Sequence, residues 1–420
     1  MAREMKNSGI EWIGEIPADW KTDRLQWHLD EIKVQNSPIQ SDKVLSLTIE
    51  AGVIPYEDKG NQGNKAKENY DEYKLAYPDT LVVNSMNVII GAVGISKYFG
   101  CVSPVYYVFK ATEGTDLRYI YYLFTNVGFQ KEMRKYAKGI LEIRLRISAA
   151  DMLKRIIPCP AYEEQKQISD FLDEKCKEID AVIEKTKATI EEYKALKQSL
   201  ITQAVTKGIH SDCEMVQTDY EWIGDIPSHW KAIKCKWLLD ERKERSEDGS
   251  EEPLSMSQKF GLIPTKEMDM IPNMAASFVG AKLVHTGDLV FNKLKAHLGV
   301  FAVSKYDGLV SPDYAVYYPT GLADVKYLEY LFKTPQYIAE FRKKSSGVGA
   351  GLTRLYTGDL FSIYCSLPPL EEQKEIIDYL NKKCAEMDTL IAKKTALLEE
   401  MENYKKSVIY EYVTGKKQVQ

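Results

Sequence analysis

The sequence lacks long apolar runs, closely paired cysteines and any surplus of basic charge. Its apolar stretches, such as Val88-Ile89-Ile90, fall far short of the ~20 residues a membrane-crossing helix needs, and no basic start leads into a long apolar segment. A cytoplasmic protein with no membrane partner is expected. The seven cysteines (Cys101, Cys159, Cys176, Cys213, Cys235, Cys365 and Cys384) form no Cys-x-x-Cys pair, and the five histidines show no zinc-ligand spacing. Reduced thiols and no structural metal follow as expectations. A formal net charge of −5 over 420 residues argues mildly against non-specific polyanion binding, so any such contact has to come from local clusters of Lys and Arg.

What the sequence does contain is itself, twice. Glu11-Trp12-Ile13-Gly14-Glu15-Ile16-Pro17-x-x-Trp20 returns as Glu221-Trp222-Ile223-Gly224-Asp225-Ile226-Pro227-x-x-Trp230. Trp20 and Trp230 lie 210 residues apart, Pro55 and Pro264 209, Asn84 and Asn292 208, and the last offset holds through Arg146 and Arg354, Cys176 and Cys384, and Val205-Thr206 and Val413-Thr414. The chain is therefore a full-length tandem duplication with a period too long for a solenoid. Two equivalent modules suit an object with two spaced half-sites, and DNA is the most natural one.

Each half changes texture once. From about Trp20 to Pro160, short β-branched and aromatic runs (Val44 to Leu47, Leu81 to Val83, Val102 to Phe109) are punctuated by Gly, Asn and Pro, with helical stretches near Leu117 to Tyr136. That pattern reads as a mixed α+β domain. From Tyr162 onward Pro and Gly vanish until Gly208, and apolar positions recur at Ile179, Val182/Ile183, Ile190, Tyr193, Leu196 and Leu200. The second half repeats the shift after Pro368-Pro369, with Ile376, Met387, Leu390/Ile391, Leu397/Leu398, Met401, Tyr404 and Val408. Each stripe predicts one long amphipathic helix of roughly 40 residues, or ~60 Å at 1.5 Å per residue. Such a helix needs a partner for its apolar face, and the other copy is the cheapest.

The expected fold class is α+β: two duplicated mixed α/β domains separated by two long helices that form an antiparallel, pseudo-two-fold coiled coil. The expected limits are a first domain over 1–160 with a docking segment at 1–20, a helix over 161–208, a linker over 209–220, a second domain over 221–368, and a second helix over 369–416. Antiparallel pairing would hold the domains ~60 Å apart, about 18 base pairs at 3.4 Å per pair.

The doubled Glu-Trp-Ile-Gly-(Glu/Asp)-Ile-Pro-x-x-Trp opening, the Ser-Pro-x-Tyr-x-Val strand and the Glu-Glu-Gln-Lys-x-Ile helix start resemble the specificity (S) subunit of Type I restriction-modification systems. The helix start reads Glu163-Glu164-Gln165-Lys166-Gln167-Ile168 in one copy and Glu371-Glu372-Gln373-Lys374-Glu375-Ile376 in the other, and the resemblance covers essentially the whole chain. It implies two target recognition domains that each read one half of a bipartite, asymmetric double-stranded DNA sequence. The helices would then act as a spacer ruler and as docking surface for two methyltransferase subunits, which carry the adenine-N6 activity and its S-adenosylmethionine, with restriction subunits joining that assembly. It also implies that this chain performs no chemistry and binds no cofactor.

The residues agree with that last implication. The sequence shows no Gly-rich S-adenosylmethionine loop, no Asn/Asp-Pro-Pro-aromatic motif for an extruded adenine, no Walker A pattern, no Ser nucleophile elbow and no His-Glu-x-x-His. Pro368-Pro369 follows Leu367 and opens a helix, where proline costs no hydrogen bond. Pro78-Asp79 and Pro312-Asp313 lack a convincing downstream Glu-x-Lys, which makes a nuclease a weak reading.

Candidate DNA contacts are positions where the copies agree in frame but differ in chemistry. One set places Thr48 and Glu50 opposite Ser257, Gln258 and Lys259, with drift on a solvated loop as the even-odds rival. Asn84 aligns with Asn292, followed by Ser85 and Lys293, then Asn87 and Lys295. The asparagines suit turn capping and the two lysines phosphate contact. The loop carrying Asn64, Lys65 and Lys67 is polar and basic enough to enter a groove, or is simply surface. Arg144, Arg146 and Arg354 follow glycine-bearing stretches and offer guanidinium forks to phosphate or guanine. Ion pairs of Arg146 and Arg354 with Asp151 and Asp359 are the competing reading. The basic runs Lys131, Arg134, Lys135 and Arg342 to Lys344 read as solvated helix faces, Tyr119, Tyr121, Tyr122, Tyr327 and Tyr330 as core, and Trp12, Trp20, Trp222 and Trp230 as staples fixing each domain to the helices. The alternative from another class is a protein-interaction scaffold with two duplicated binding domains.

Overall fold

The computed structural model describes residues 3–60, 69–139, 145–210, 212–257, 260–268, 277–347 and 353–419. The chain divides into two units: 1–187 together with 396–420, and 188–395. Each unit thus holds one domain, the opening of the long helix that follows that domain, and the closing segment of the other long helix. The helices run over Tyr162–Lys207 (46 residues) and Leu370–Val413 (44 residues).

Within the first unit, a four-stranded antiparallel sheet orders Leu29–Glu31, Tyr106–Ala111, Thr80–Asn84 and Val93–Ser96. Side chains alternate across it, as a period of two requires. Leu81, Val83 and Phe109 face a core with the helices Leu117–Thr125 and Val127–Arg134, while Val82 and Val108 face a second cluster with Val102 and with Leu45 and Val53 from the hairpin Leu45–Thr48/Gly52–Pro55. The apolar run from Val102 to Phe109 is not one strand. Ser103-Pro104 turns it, with the Tyr106 N–H donating to the Ser103 carbonyl, so Gly100–Val102 pairs with Lys74–Ala76 and Tyr106–Ala111 enters the sheet.

The second unit repeats this plan with Leu239–Glu241, Tyr314–Pro319, Leu289–Asn292 and Phe301–Val303 as its sheet, and Val325–Phe332 and Pro335–Lys344 as its helices. The expected linker over 209–220 needs correction. Met215–Gln217 is a strand paired with Asp225–Pro227, the counterpart of Met5–Ile10 paired with Gly14–Pro17. Here the repeat extends ahead of the Glu-Trp-Ile-Gly motif, but the alternation is too short and too polar to announce a strand.

In each unit the helix segments run antiparallel. In the first, Lys405 Nζ meets Asp180 at 2.6 Å; in the second, Lys197 Nζ meets Asp388 at 2.6 Å. These are the same two positions of the repeat with partners exchanged, and Phe171 against Tyr412 (ring centroids 4.3 Å) fits the same register. The stripes are only partly covered. Ile179, Ile183 and Ile190 are buried, whereas Val182, Leu196, Leu390 and Tyr404 stand exposed.

One core group is expected to make the two domains respond differently to acid. His28 is buried, its Nδ1 2.9 Å from Thr115 Oγ1 and Nε2 3.5 Å from Cys159 Sγ, and the repeat places Leu238 at the same position in the second domain. Burial holds the imidazole below its ordinary 6.5, against the opposing pull of Asp23. A depressed histidine pKa means the unfolded chain takes up the proton first, so this stability is present above about pH 6.5 and is lost as pH falls through the folded value. The first unit should therefore lose thermal stability on acidification over this window more steeply than the second. His28→Leu should abolish the difference in a pH series of unfolding curves read by hydrogen exchange, and equal slopes in the unaltered protein would refute the assignment.

Candidate nucleic-acid interface

The two repeated motifs meet in space. The Trp20 indole N–H donates to Glu164 Oε2 (2.9 Å) and that of Trp230 to Glu372 Oε1 (3.1 Å), so the opening motif and the helix-start motif lock together in each unit. Next to the glutamate, Gln165 accepts from the Asp116 N–H (3.0 Å) and donates to the Pro160 carbonyl (3.0 Å). Gln373 does the same with Asp324 (2.8 Å) and Pro368 (2.9 Å). Asp116 and Asp324 in turn cap the following helices by accepting from Arg118 N and Lys326 N. Tyr119 and Tyr327 are fully buried. Their hydroxyls donate to Pro158 and Val413 and to Ser366 and Val205, which fastens each domain to the closing end of a long helix. The staple reading holds for Trp20 and Trp230, and the core reading for Tyr119, Tyr122 and Tyr327.

On this frame the candidate contacts separate. Thr48 and Ser257 end equivalent hairpin strands, and their hydroxyls accept from the Ala51 (3.0 Å) and Phe260 (3.2 Å) N–H groups, so both shape the turn; Glu50 is exposed at the first tip. Asn84 and Asn292 each accept a local N–H, from Met86 (3.0 Å) and Leu294 (3.1 Å), which is turn capping. Lys295 is exposed at the entry to the short turn Ala296–Leu298. Asn64, Lys65, Lys67, Arg144, Gln258 and Lys259 lie outside the described residues.

Arg146 and Arg354 do not pair with the following aspartates. Arg146 Nε donates to Ser85 Oγ (2.9 Å) and Arg354 Nη2 to Asp313 Oδ1 (2.8 Å), while Asp151 exchanges hydrogen bonds with Ser148 at the start of a short helix. Strand pairing goes with this: Arg146 is bridged to Lys138 and Arg354 to Ser346, and their guanidiniums meet Ser85 and Asp313 at the ends of the inner strands Thr80–Asn84 and Tyr314–Pro319. The basic helix faces are partly neutralised in place, Lys135 by Glu11 (2.7 Å) and Glu132 (3.0 Å).

The sequence reading missed a lysine in each domain. Lys74 and Lys282, 208 residues apart, open the short strands Lys74–Ala76 and Lys282–Val284. Lys74 Nζ donates to the Tyr106 carbonyl (2.7 Å), and Lys282 Nζ to Glu241 Oε1 (3.2 Å). Burial pulls Lys74 below the usual lysine range, Glu31 opposes, and Arg146 and Lys33 add to the lowering. Burial likewise lowers Lys293, helped by Lys282 and Arg354 and opposed by Glu241 and Asp313. The retained frame at 74 and 282 was the signal available, as a cation repeated at one position of the duplication.

Two duplicated α+β domains, each clasped by two long-helix segments and each presenting basic groups at the end of an inner strand, define a tandem recognition subunit. The sequence profile of the type I restriction modification DNA specificity domain matches residues 20–192 and 273–400, and the chain belongs to this family. Two proteins of Methanocaldococcus jannaschii, described as the MjaX and MjaVIII type I restriction enzyme specificity subunits, are similar along their length. The first is 26% identical, with 96% of this chain and 95% of that protein covered; the second is 24% identical, with 96% and 93% covered. The fold is also that of a chain from a study of assembly and conformational transition in the type I R-M system (TM-score 0.69, 14% identity, 96% of this chain and 99% of that one). The HsdS subunit of Thermoanaerobacter tengcongensis shares it too (TM-score 0.52, 15% identity, 96% and 98% covered). Its function is therefore DNA specificity in a type I restriction-modification system, and the protein-scaffold alternative falls away.

Proposed function

We propose that the chain reads a bipartite, asymmetric duplex, one half-site per domain, and holds two methyltransferase subunits on its helices while performing no chemistry of its own. The observation that carries this reading is agreement in framework with divergence at polar positions. The Trp–Glu lock, the Gln bridge and the Tyr clasp occur in both units, whereas Ser85 is replaced by Lys293 and Val105 by Asp313 at the repeat positions beside Arg146 and Arg354. Two readers built on one scaffold require this pattern. Duplication also supports two docked subunits. Exposed apolar positions of the helices are repeat mates, Val182 with Leu390 and Leu196 with Tyr404, so each unit offers one member of each pair: Val182 and Tyr404 in the first, Leu196 and Leu390 in the second. S-adenosylmethionine would then reside on the methyltransferase subunits, and restriction subunits would join the same cytoplasmic assembly.

Exchanging residues 21–160 for the corresponding domain of a relative with another specificity should change one half of the methylated sequence and leave the other intact, as read by methylation mapping. A change in both halves would overturn the one-domain, one-half-site assignment.

A further inference from the structure

Repeat-equivalent cations, Lys74 with Arg146 and Lys282 with Arg354, gather in both domains, and among the described residues they and their basic neighbours outnumber the carboxylates facing them. In the second domain Lys282, Lys293 and Arg354 surround two carboxylates, Glu241 and Asp313. In the first, Lys74 has Glu31, Arg146 and Lys33 around it, with Lys33 Nζ 3.5 Å from the Glu31 carboxylate. A chain of net charge −5 thus concentrates positive charge at two repeat-equivalent places.

Hydrogen bonding is incomplete as well. Among the described residues, Arg354 Nε is buried without a partner while Nη2 is taken by the exposed Asp313, so one prong of the guanidinium fork finds no acceptor there. An unpaired buried donor is costly, and crowding like charges adds to the cost. An anion with several acceptor oxygens would relieve both, and a guanidinium beside an ammonium suits a phosphate diester.

We propose that Lys74 with Arg146, and Lys282 with Lys293 and Arg354, are the phosphate clamps of the two recognition domains. They grip the DNA backbone and set register, and Asp313 is a stand-in anion that the phosphate displaces from Arg354. This rests on the DNA-reading function proposed above and assigns these residues to backbone contact, not base readout. The shared cations fix where each domain sits on the duplex. Ser85 against Lys293 and Val105 against Asp313 make the second clamp the more highly charged on both signs.

The test uses the chain assembled with its methyltransferase subunits, titrated with a duplex carrying the methylated sequence and with a scrambled duplex, between about 50 and about 200 mM salt. Lys293→Met should weaken binding to both duplexes by the same factor and reduce the slope of log K against log salt by about one. Asp313→Asn should strengthen both, which a merely structural ion pair would not do. Lys74→Met supplies the matching result for the first domain, with unfolding curves confirming that each variant is folded. Loss confined to the specific duplex at unchanged salt slope would overturn the clamp in favour of base reading and leave the DNA function standing. Unchanged affinity in all three variants would overturn it in favour of a structural cluster, and an unaltered complex that binds neither duplex would overturn the clamp together with the function it rests on.

Discussion

A chain ended at residue 395 is expected to lose the folded state of its first domain while keeping that of the second. Residues 396–420 complete the first unit's core: Val408, Ile409 and Val413 are buried with Leu25, Tyr119 and Ile157, and Tyr412 packs on Phe171. Burial of three aliphatic side chains at about 1.5–3 kcal/mol each is comparable with the ~5–15 kcal/mol that holds a domain together. Truncation also strips an acceptor from the buried Tyr119 hydroxyl, which bonds to Val413 at 3.0 Å, and uncovers Pro17 and Trp20, against which Gly415 sits. Hydrogen exchange should show the amides of 69–139 deprotected and those of 277–347 unchanged. Protection throughout both stretches would mean the first domain does not depend on the far end of the chain. Functionally, such a truncation should abolish recognition of one half-site although no residue of that domain's own segment has been removed.

Gln373→Leu is expected to be the most damaging conservative-volume substitution at the domain–helix junction. Its amide is completely buried and bridges the Asp324 N–H to the Pro368 carbonyl, so leucine leaves two buried backbone groups without partners. At about 1–3 kcal/mol for each orphaned group, the cost is about 2–6 kcal/mol, a large fraction of a domain's stability. For a unit of this size that corresponds to a fall in melting temperature on the order of 5–20 °C, at about 2–4 °C per kcal/mol. Gln165→Leu should do the same to the first unit, because its bonds to Asp116 and Pro160 are equivalent. Glutamate at either position would turn a carboxylate oxygen toward the proline carbonyl in a buried site, so it should cost at least as much as leucine at neutral pH and less once the pH is low enough to protonate it. A shift within about 1 °C for the leucine variants, small against that per-kcal/mol scale, would show that the bridge is dispensable.

The same residues show how far sequence alone reaches. The duplication, the long helices and the α+β texture were legible because they are periodic: 208–210 residues for the repeat and an apolar stripe for the helices. The Trp staples and buried tyrosines were legible because apolar bulk at helical or motif spacing has one economical use. What was not legible depended on partners distant in sequence. Glu164 lies 144 residues from Trp20, and Val413 lies 294 from Tyr119, so nothing local marks either pairing. Arg354 was weighed against Asp359, its neighbour in sequence, but strand pairing turns it to Asp313 instead.

The sequence by itself determined that there are two equivalent modules, that each ends in a long amphipathic helix, and which polar positions depart from the common frame. Tertiary structure alone decided which segments share a core. Each domain is completed by the end of the other half's helix, since a helix closing its apolar face against an antiparallel mate must deliver its C-terminus to the opposite unit. It alone decided, too, that Lys74 comes to lie near Arg146, and Lys282 and Arg354 near Lys293. Electrostatic neighbours are set by strand order and not by spacing along the chain.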